Sequence, residues 1–388
     1  MSGPRPSHAI FVVTDYVPAT GGTTTQTRVE AAELVRRGWL VDVVTRRPSP
    51  QSPRSERFEG TDVRRVGSNA PDKVSKARVV IGLWWTLFSA RRVDVVTVMM
   101  DVDYAAASCL AGRGGQTVLM WATEGDATRS FAGRKGDVRK ALLRRCGHVV
   151  LTSRMQVELS EGCGIHGATI IPVPVDSERF APATEAEREA QRAALVITAE
   201  TVIAFSGHLV ARKGVDRLLA AFRQMVEDGE DVHLLLLGSG IGRLESLEED
   251  LRADTLRFGL SQRVTFADAV QDVAPYLAGA DIFCLPSWRE GMPNSILEAM
   301  ASGLACVAPE SAGGADLLDD GAGVIPPSNE PDDLRAAIVP LLHDPDRRRA
   351  LGRAARQRAE SRHSVAAVVD AYEELWTARQ GRKGRSAR

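Results

Sequence analysis

The stretch "DIFCLPSWREGMPNSILEAMASGLACVA", residues 281–308, reads as strand, loop, helix and strand. Asp281–Leu285 and Ala305–Ala308 are short, nearly continuous apolar runs, the pattern of parallel strands buried on both faces. Between them Glu290 falls in a loop and Glu298 inside a helix, on either side of a Gly-Met-Pro-Asn turn. Two such acids could share a reaction, divide one ligand between them, or cap a helix. For Glu298 the cap has a specific pattern: Ser295-Ile296-Leu297-Glu298 fits the S-x-x-E capping box, and an acid there suits the helix dipole. Glu290 has no evident helix-end duty. A glycosidase pair would hold its carboxyls about 5 to 9 Å apart across a sugar, and nothing in this spacing secures that.

The same rhythm extends in both directions. The second half carries further strands at Thr201–Ser206, Val232–Leu237, Val264–Ala267 and Gly323–Ile325. From Pro331 the chain reads as helices, broken at Asp344–Pro345, with a basic end "RQGRKGRSAR" expected to fray. The first half repeats the pattern at His8–Thr14, Leu40–Thr45, Asp94–Met99, Thr117–Ala122 and His148–Thr152. A helix at Thr24–Arg37 ends at Gly38, where a C-cap glycine belongs. The stretch "IPVPVDSERFAPATEAE" (171–187) interrupts the rhythm with three prolines and reads as a junction. The expected fold class is therefore α/β, two doubly wound Rossmann-like domains facing across a cleft. The expected division is 1–180, 181–365, and a C-terminal helix with basic tail at 366–388 that could cross back to the first domain. Ligands in such sheets bind beyond the carboxyl ends of the strands.

Composition narrows the function classes. Lysine plus arginine against aspartate plus glutamate gives 49 − 50 = −1, so the chain has no overall electrostatic footprint for nucleic acid. Its five cysteines form no CxxC pair, which argues against zinc and against a disulfide framework. Cys284 and Cys306 sit in apolar runs and read as core. The start "MSGPRPSHAIFVV" has a very short apolar run and no small-residue cleavage site, and no run approaches the roughly 20 residues a spanning helix needs. A cytoplasmic protein is the expectation.

Several turns carry chemistry. Gly21–Gly22 precedes a helix whose free N–H groups could approach a phosphate, although a Gly-Gly turn is often only a turn. In "FSGHLVARKGVDRLLAAF" (205–222), Arg212 and Lys213 precede a helix beginning near Gly214. Two cations at a helix start suit a diphosphate, and a solvated basic turn is the plainer alternative. "LLLLGSGIGRLESLEED" (234–250) resembles the dinucleotide fingerprint but has Arg243 at the third glycine position, so NAD binding is a weak alternative. "VVIGLWWTLFSARR" (79–92) places Trp84 and Trp85 in an apolar helical run. Core packing is the first reading; a peripheral membrane contact or an acceptor-docking face is the second.

Together these pieces resemble the retaining GT-B glycosyltransferases of the family-4 type, the glycosyl transferases group 1. The segment 281–327 is similar to that family's E-x7-E segment, with Glu290 and Glu298 as its acids, followed by a Gly-Gly turn, Gly313–Gly314. "GHLVARKG" (207–214) resembles its phosphate turn, and "IPVPVDSERF" (171–180) its interdomain stretch. The N-terminal glycine loop and first helix, from Gly21 to Thr45, are also similar. The resemblance implies a nucleotide-sugar co-substrate (UDP-, GDP- or dTDP-linked), a hydroxyl acceptor, retention of anomeric configuration, and no metal or other cofactor. Lys213 and Arg212 would neutralise the diphosphate, with Gly22 offering an N–H. Glu298 would hold the ribose, and Glu290 with Gly291, Met292, Pro293 and Asn294 the donor sugar. Gly238 and Val270 complete the implied donor-binding set. Two positions depart from the family pattern: His208 stands where an Arg is common, and "LMWATEGDATRS" (119–130) lacks a His, leaving Thr123, Glu124 and Asp126 as polar candidates. Asp126 joins Glu290, Lys213 and Arg212 as a catalytic candidate. A sugar-nucleotide epimerase or phosphorylase on the same fold, or a non-catalytic binding subunit, are the competing readings. The acceptor and the oligomeric state are not legible.

Overall fold

The structure, a computed structural model, describes residues 6–19, 21–67, 73–121 and 133–386. The chain divides into two compact units, one of Met1–Pro174 with Val365–Arg388 and one of Val175–Ser364.

The first unit contains strands β1 (His8–Val12), β2 (Leu40–Arg46), β3 (Ser55–Phe58), β4 (Thr61–Val66), β5 (Val95–Met99), β6 (Thr117–Trp121), β7 (His148–Leu151) and β8 (Thr169–Ile170). They form one sheet in the order β3-β4-β2-β1-β5-β6-β7-β8, parallel throughout except for the antiparallel β3–β4 pair. Its helices are α1 (Gly22–Arg36), α2 (Lys73–Ser89), α3 (Val102–Ser108), α4 (Gly133–Leu143) and α5 (Met155–Gly162). The period of two along β1 shows why its run is continuously apolar. Ile10 and Val12 pack on one face with Leu83 and Leu87 of α2. Ala9, Phe11 and Val13 pack on the other with Leu34 of α1.

The second unit contains β9 (Thr201–Ser206), β10 (Val232–Leu237), β11 (Val264–Phe266), β12 (Ile282–Cys284) and β13 (Ala305–Val307), in the order β11-β10-β9-β12-β13. All pairs are parallel. Its helices are α6 (Glu185–Ala194), α7 (Val215–Glu227), α8 (Glu248–Arg257), α9 (Ala274–Ala278), α10 (Asn294–Ala301), α11 (Gly314–Leu317), α12 (Pro331–His343) and α13 (Pro345–His363). Cys284 and Cys306 are fully buried in neighbouring strands.

Helix α14 (Val365–Ser386) belongs to the first unit. Val369, Tyr372 and Trp376 join the core beside α1, and Trp376 lies 5.3 Å from the Trp39 ring centroid. Trp39 Nε1 donates to Glu373 Oε1 at 2.8 Å, and Arg37 bridges Asp370 and Glu373.

Four local expectations are corrected. Gly323–Ile325 is not a strand; only Val324 makes a single bridge, to Val307. The basic end, expected to fray, continues as helix to Ser386. The polar strands β3 and β4 were not anticipated, because Arg65 looks like a surface residue. In the fold it is buried and bonds Glu56 Oε1 at 2.5 Å and the Val17 carbonyl at 2.7 Å. The fourth is the capping box of Ser295 and Glu298, which does not form because Pro293 is the N-cap.

Candidate functional site in the second unit

The order of the second sheet locates the site. The chain steps from β9 outward to β10 and β11, then returns to the other side of β9 with β12. β9 and β12 are thus neighbours whose chains continue to opposite sides of the sheet, and their carboxyl ends mark the usual ligand position in such sheets.

The loop after β9 runs through Gly207 and His208 to a short 3₁₀ turn, Ala211–Lys213, and then Gly214 caps α7 at φ +66°. A side chain at Gly214 would put Cβ 2.2 Å from the Pro286 carbonyl oxygen, so glycine is required for this loop to touch the loop after β12. The Trp288 amide donates to the Arg212 carbonyl at 3.0 Å, and the Glu290 amide donates to the Ser311 carbonyl at 2.9 Å. Asn329 Nδ2 donates to the Pro286 carbonyl at 3.1 Å, and the Arg217 guanidinium sits 4.2 Å over the Trp288 ring. The loop from Pro286 to Glu290 is thus tied at several points.

These ties aim Glu290 inward. Its side chain is 4% exposed; Lys213 Nζ donates to Oε1 at 2.5 Å, and Arg212 Nη1 reaches the same oxygen at 3.1 Å. Arg212 is 43% exposed and Lys213 13%, so Arg212 presents the more accessible charge. The sequence reading separated these residues into a phosphate group and a sugar group. The fold places all three in one hydrogen-bonded cluster.

His208 stands at the same strand end. Desolvation of its ring, followed by the positive charges of Arg243 and Lys213, holds its pKa below the usual histidine value. It is therefore neutral at pH 7. Arg243, noted in the sequence only for spoiling a glycine fingerprint, contributes to this positive field. Gly238, after β10, has φ +140°, and a Cβ there would lie 2.0 Å from the Gly207 carbonyl oxygen. The absence of a side chain lets the two glycine turns touch. Glu248 was not singled out from the sequence. Its buried carboxylate accepts from Ser239 Oγ and the Gly240 amide, both at 2.7 Å, and so shapes the turn after β10. An acid eight residues beyond Gly240 gave no recognisable spacing.

Residues 21–176 match the family described as "Glycosyl transferase 4-like domain", and residues 200–344 match "Glycosyl transferases group 1". The chain belongs to the group 1 glycosyltransferases. A GDP-mannose-dependent monoacylated alpha-(1-6)-phosphatidylinositol monomannoside mannosyltransferase of Corynebacterium glutamicum is 36% identical over 204 residues, 50% of this chain and 52% of that protein. The chain spans about half the length of the first curated relatives it matches. A GDP-mannose-dependent alpha-(1-6)-phosphatidylinositol monomannoside mannosyltransferase of Mycolicibacterium smegmatis is 25% identical, covering 89% of this chain and 92% of its own. Among solved structures, a sucrose-phosphate synthase of Thermosynechococcus elongatus superposes with TM-score 0.75 at 22% identity, covering 96% of this chain and 100% of its own. The fold is GT-B, two Rossmann-like domains.

Within this group 1 glycosyltransferase the remaining candidates are more scattered. Glu298 lies on α10, whose N-cap is Pro293 in an extended conformation with no side-chain cap hydrogen bond. The expected capping box is absent because the helix starts at Asn294, one residue before Ser295, so Ser295 cannot serve as N-cap. The Glu298 carboxyl is therefore released from capping. Burial raises its pKa to about 7, with Arg179 pulling down and Asp272 pushing up. Gly291, Met292, Pro293 and Asn294 follow Glu290 directly into α10. Val270 is half-buried in the loop after β11. Gly22 is the first residue of α1, in the other unit. Thr123, Glu124 and Asp126 lie outside the described residues.

Proposed function

We propose that this group 1 glycosyltransferase moves a sugar, with retention of anomeric configuration, from a nucleoside-diphosphate sugar to a hydroxyl acceptor. The observation that carries this reading is the Arg212–Lys213–Glu290 cluster at the switch point of the second sheet. In the transfer, the bond from the anomeric carbon to the diphosphate oxygen breaks. The acceptor oxygen takes its place on the same face, and the hydroxyl proton passes to the departing diphosphate oxygen. Negative charge grows on the departing diphosphate as that bond lengthens. Fixed cations stabilise that charge more than they stabilise the bound donor, so they lower the barrier. Lys213 has three donors, and one of them already holds Glu290, which orients the ammonium for phosphate. Glu290, buried beside the cations, is suited to accept from sugar hydroxyls and to favour positive character at the anomeric carbon. The cations take the role that a divalent ion plays elsewhere, so a chelator leaves transfer unchanged.

Two relatives named above, one matched over about half its length and one over 92%, are described as GDP-mannose-dependent mannosyltransferases of a phosphatidylinositol monomannoside. GDP-mannose is therefore the first donor to try, and a polyol or glycoside hydroxyl the first acceptor class. The test is a thermal-shift panel of nucleotide sugars followed by transfer assays with the stabilising donor. Retention is read from the anomeric coupling in the product's NMR spectrum. A donor that stabilises the protein and is epimerised, or passed to inorganic phosphate, would overturn the transferase reading. Stabilisation without turnover on any acceptor mixture would point to a binding subunit.

A further inference from the structure

Helix α2 has two faces. Val79, Leu83 and Leu87 are buried against the first sheet. The opposite stripe is apolar as well, yet it faces solvent: Val74 is 60% exposed, Ile81 64%, Trp85 62% and Phe88 57%. The intervals of seven, four and three residues place all four on one side of the helix. Trp84 stacks on Phe88, with centroids 5.2 Å apart and planes at 13°, and Trp85 lies 6.3 Å from Phe88. The rings brace one another, so the exposed aromatics are held outward. Core packing, the first sequence reading of this stretch, holds for the Leu83 side and fails for Trp85.

Beside this stripe, α2, α3 and α4 enclose a groove of about 680 Å³. Its apolar lining includes Ile81, Leu110 and Val138, the last two each 60% exposed. Its charged lining includes Arg134, Lys135 and Arg139. Lys76 lines it too, and Asp103, the acid in the lining, binds Lys76 and Arg139. Cations outnumber acids around an apolar floor. That complementarity selects an anionic amphiphile over a neutral apolar segment.

We propose that the α2–α4 side of the first unit docks on an anionic lipid bilayer. Trp85 and Phe88 sit at headgroup depth, where amphipathic and aromatic rings are favoured, and Arg134 and Lys135 pair with lipid phosphates. The site is separate from the sugar-nucleotide cluster and its test needs no donor and no turnover, so the two readings fail independently.

The test is co-sedimentation of the full chain with phosphatidylcholine vesicles, with and without phosphatidylglycerol, together with tryptophan emission. The full chain binds the anionic vesicles with a blue-shifted emission and binds pure phosphatidylcholine about tenfold more weakly. Replacing both cations (Arg134→Glu with Lys135→Glu) or both rings (Trp85→Ser with Phe88→Ser) each weakens binding about tenfold or more. All four side chains are exposed, so unchanged circular dichroism and thermal midpoint verify the fold. Absence of binding to anionic vesicles, or equal binding by the parent and both variants, overturns the proposal. A parent that is dimeric on gel filtration, and monomeric only after the ring substitutions, overturns it in favour of a second copy covering this face.

Discussion

Lys213 Nζ lies 2.5 Å from Glu290 Oε1, joining residues 77 apart in the chain where the loops after β9 and β12 meet. Each group offsets the charge of the other. Glu290→Gln keeps the shape and removes the charge, so kcat falls by about two powers of ten while donor Kd changes little. Lys213→Ala lowers kcat/KM by a similar factor. It also takes the less exposed of the two cations from a buried carboxylate, at a stability loss of roughly 3 kcal/mol. Steady-state kinetics and thermal melts of both variants check this. A Lys213→Ala enzyme with parental turnover would remove the cluster from the mechanism.

Glu298 is the residue from which a pH dependence is expected. Burial pushes its carboxyl up to about 7. If it holds ribose hydroxyls, the ionised form is the better acceptor, so donor affinity rises as pH increases through 7. Calorimetric titrations between pH 6 and 8 measure the slope, and Glu298→Gln flattens it. A slope that persists in Glu298→Gln belongs to another group.

His208 acts as a neutral donor or acceptor, because desolvation and nearby cations hold its pKa down. His208→Asn therefore binds donor like the parent at pH 7.5. His208→Arg adds a cation facing a diphosphate and tightens binding by about tenfold, an effect that declines with salt. Weakening of tenfold or more in His208→Asn would show that the charged imidazole is needed.

Gly214→Ala tests the contact between the two loops. The backbone is left-handed there and the new Cβ would meet the Pro286 carbonyl oxygen at 2.2 Å. The left-handed conformation alone costs about 1–2 kcal/mol, and relief of the clash displaces the loop bearing Glu290. Chemical denaturation shows lower stability, and donor affinity falls with it. Unchanged affinity would mean that the loop relaxes without moving the site.

Glu30 makes the first unit sensitive to alkali. It is buried on α1, within electrostatic reach of Tyr372 of α14, and burial raises its pKa to about 8, partly offset by a hydrogen bond from Gln26. The folded value lies above the unfolded one, so its contribution to stability is complete below about pH 4.5 and is lost as pH rises through about 8. Glu30→Gln removes this dependence and is the more stable form at pH 8.5, by at most about 5 kcal/mol. Denaturant titrations at pH 5 and pH 8.5 measure the difference; parallel losses in both proteins would place the titrating group elsewhere.

Much of the fold is legible in local pattern. Thr201–Ser206 and Val232–Leu237 were bounded from their apolar runs, and both are fully buried strands. The Arg212-Lys213-Gly214 turn lies where a helix start was expected. Strands β3 and β4 were not legible, since Arg65 becomes a core residue only when Glu56 and the Val17 carbonyl surround it. The capping box at Ser295 matched four letters, but the actual start of α10 moved by one residue. Glu248 was missed for a related reason: its partners, Ser239 and Gly240, are in a turn whose shape no spacing rule describes.

What the amino-acid order determined by itself was the alternation of buried strands and helices, and the positions of Glu290, Lys213 and Arg212 in loops at strand ends. Those follow from short-range periodicity and turn chemistry, which act within a few residues. The tertiary structure alone decided that Arg212 and Lys213 share one oxygen of Glu290, that α14 packs beside α1, and that Trp85 faces outward while Leu83 faces inward. Each of these depends on contacts between distant segments, and on the burial and charge those contacts create.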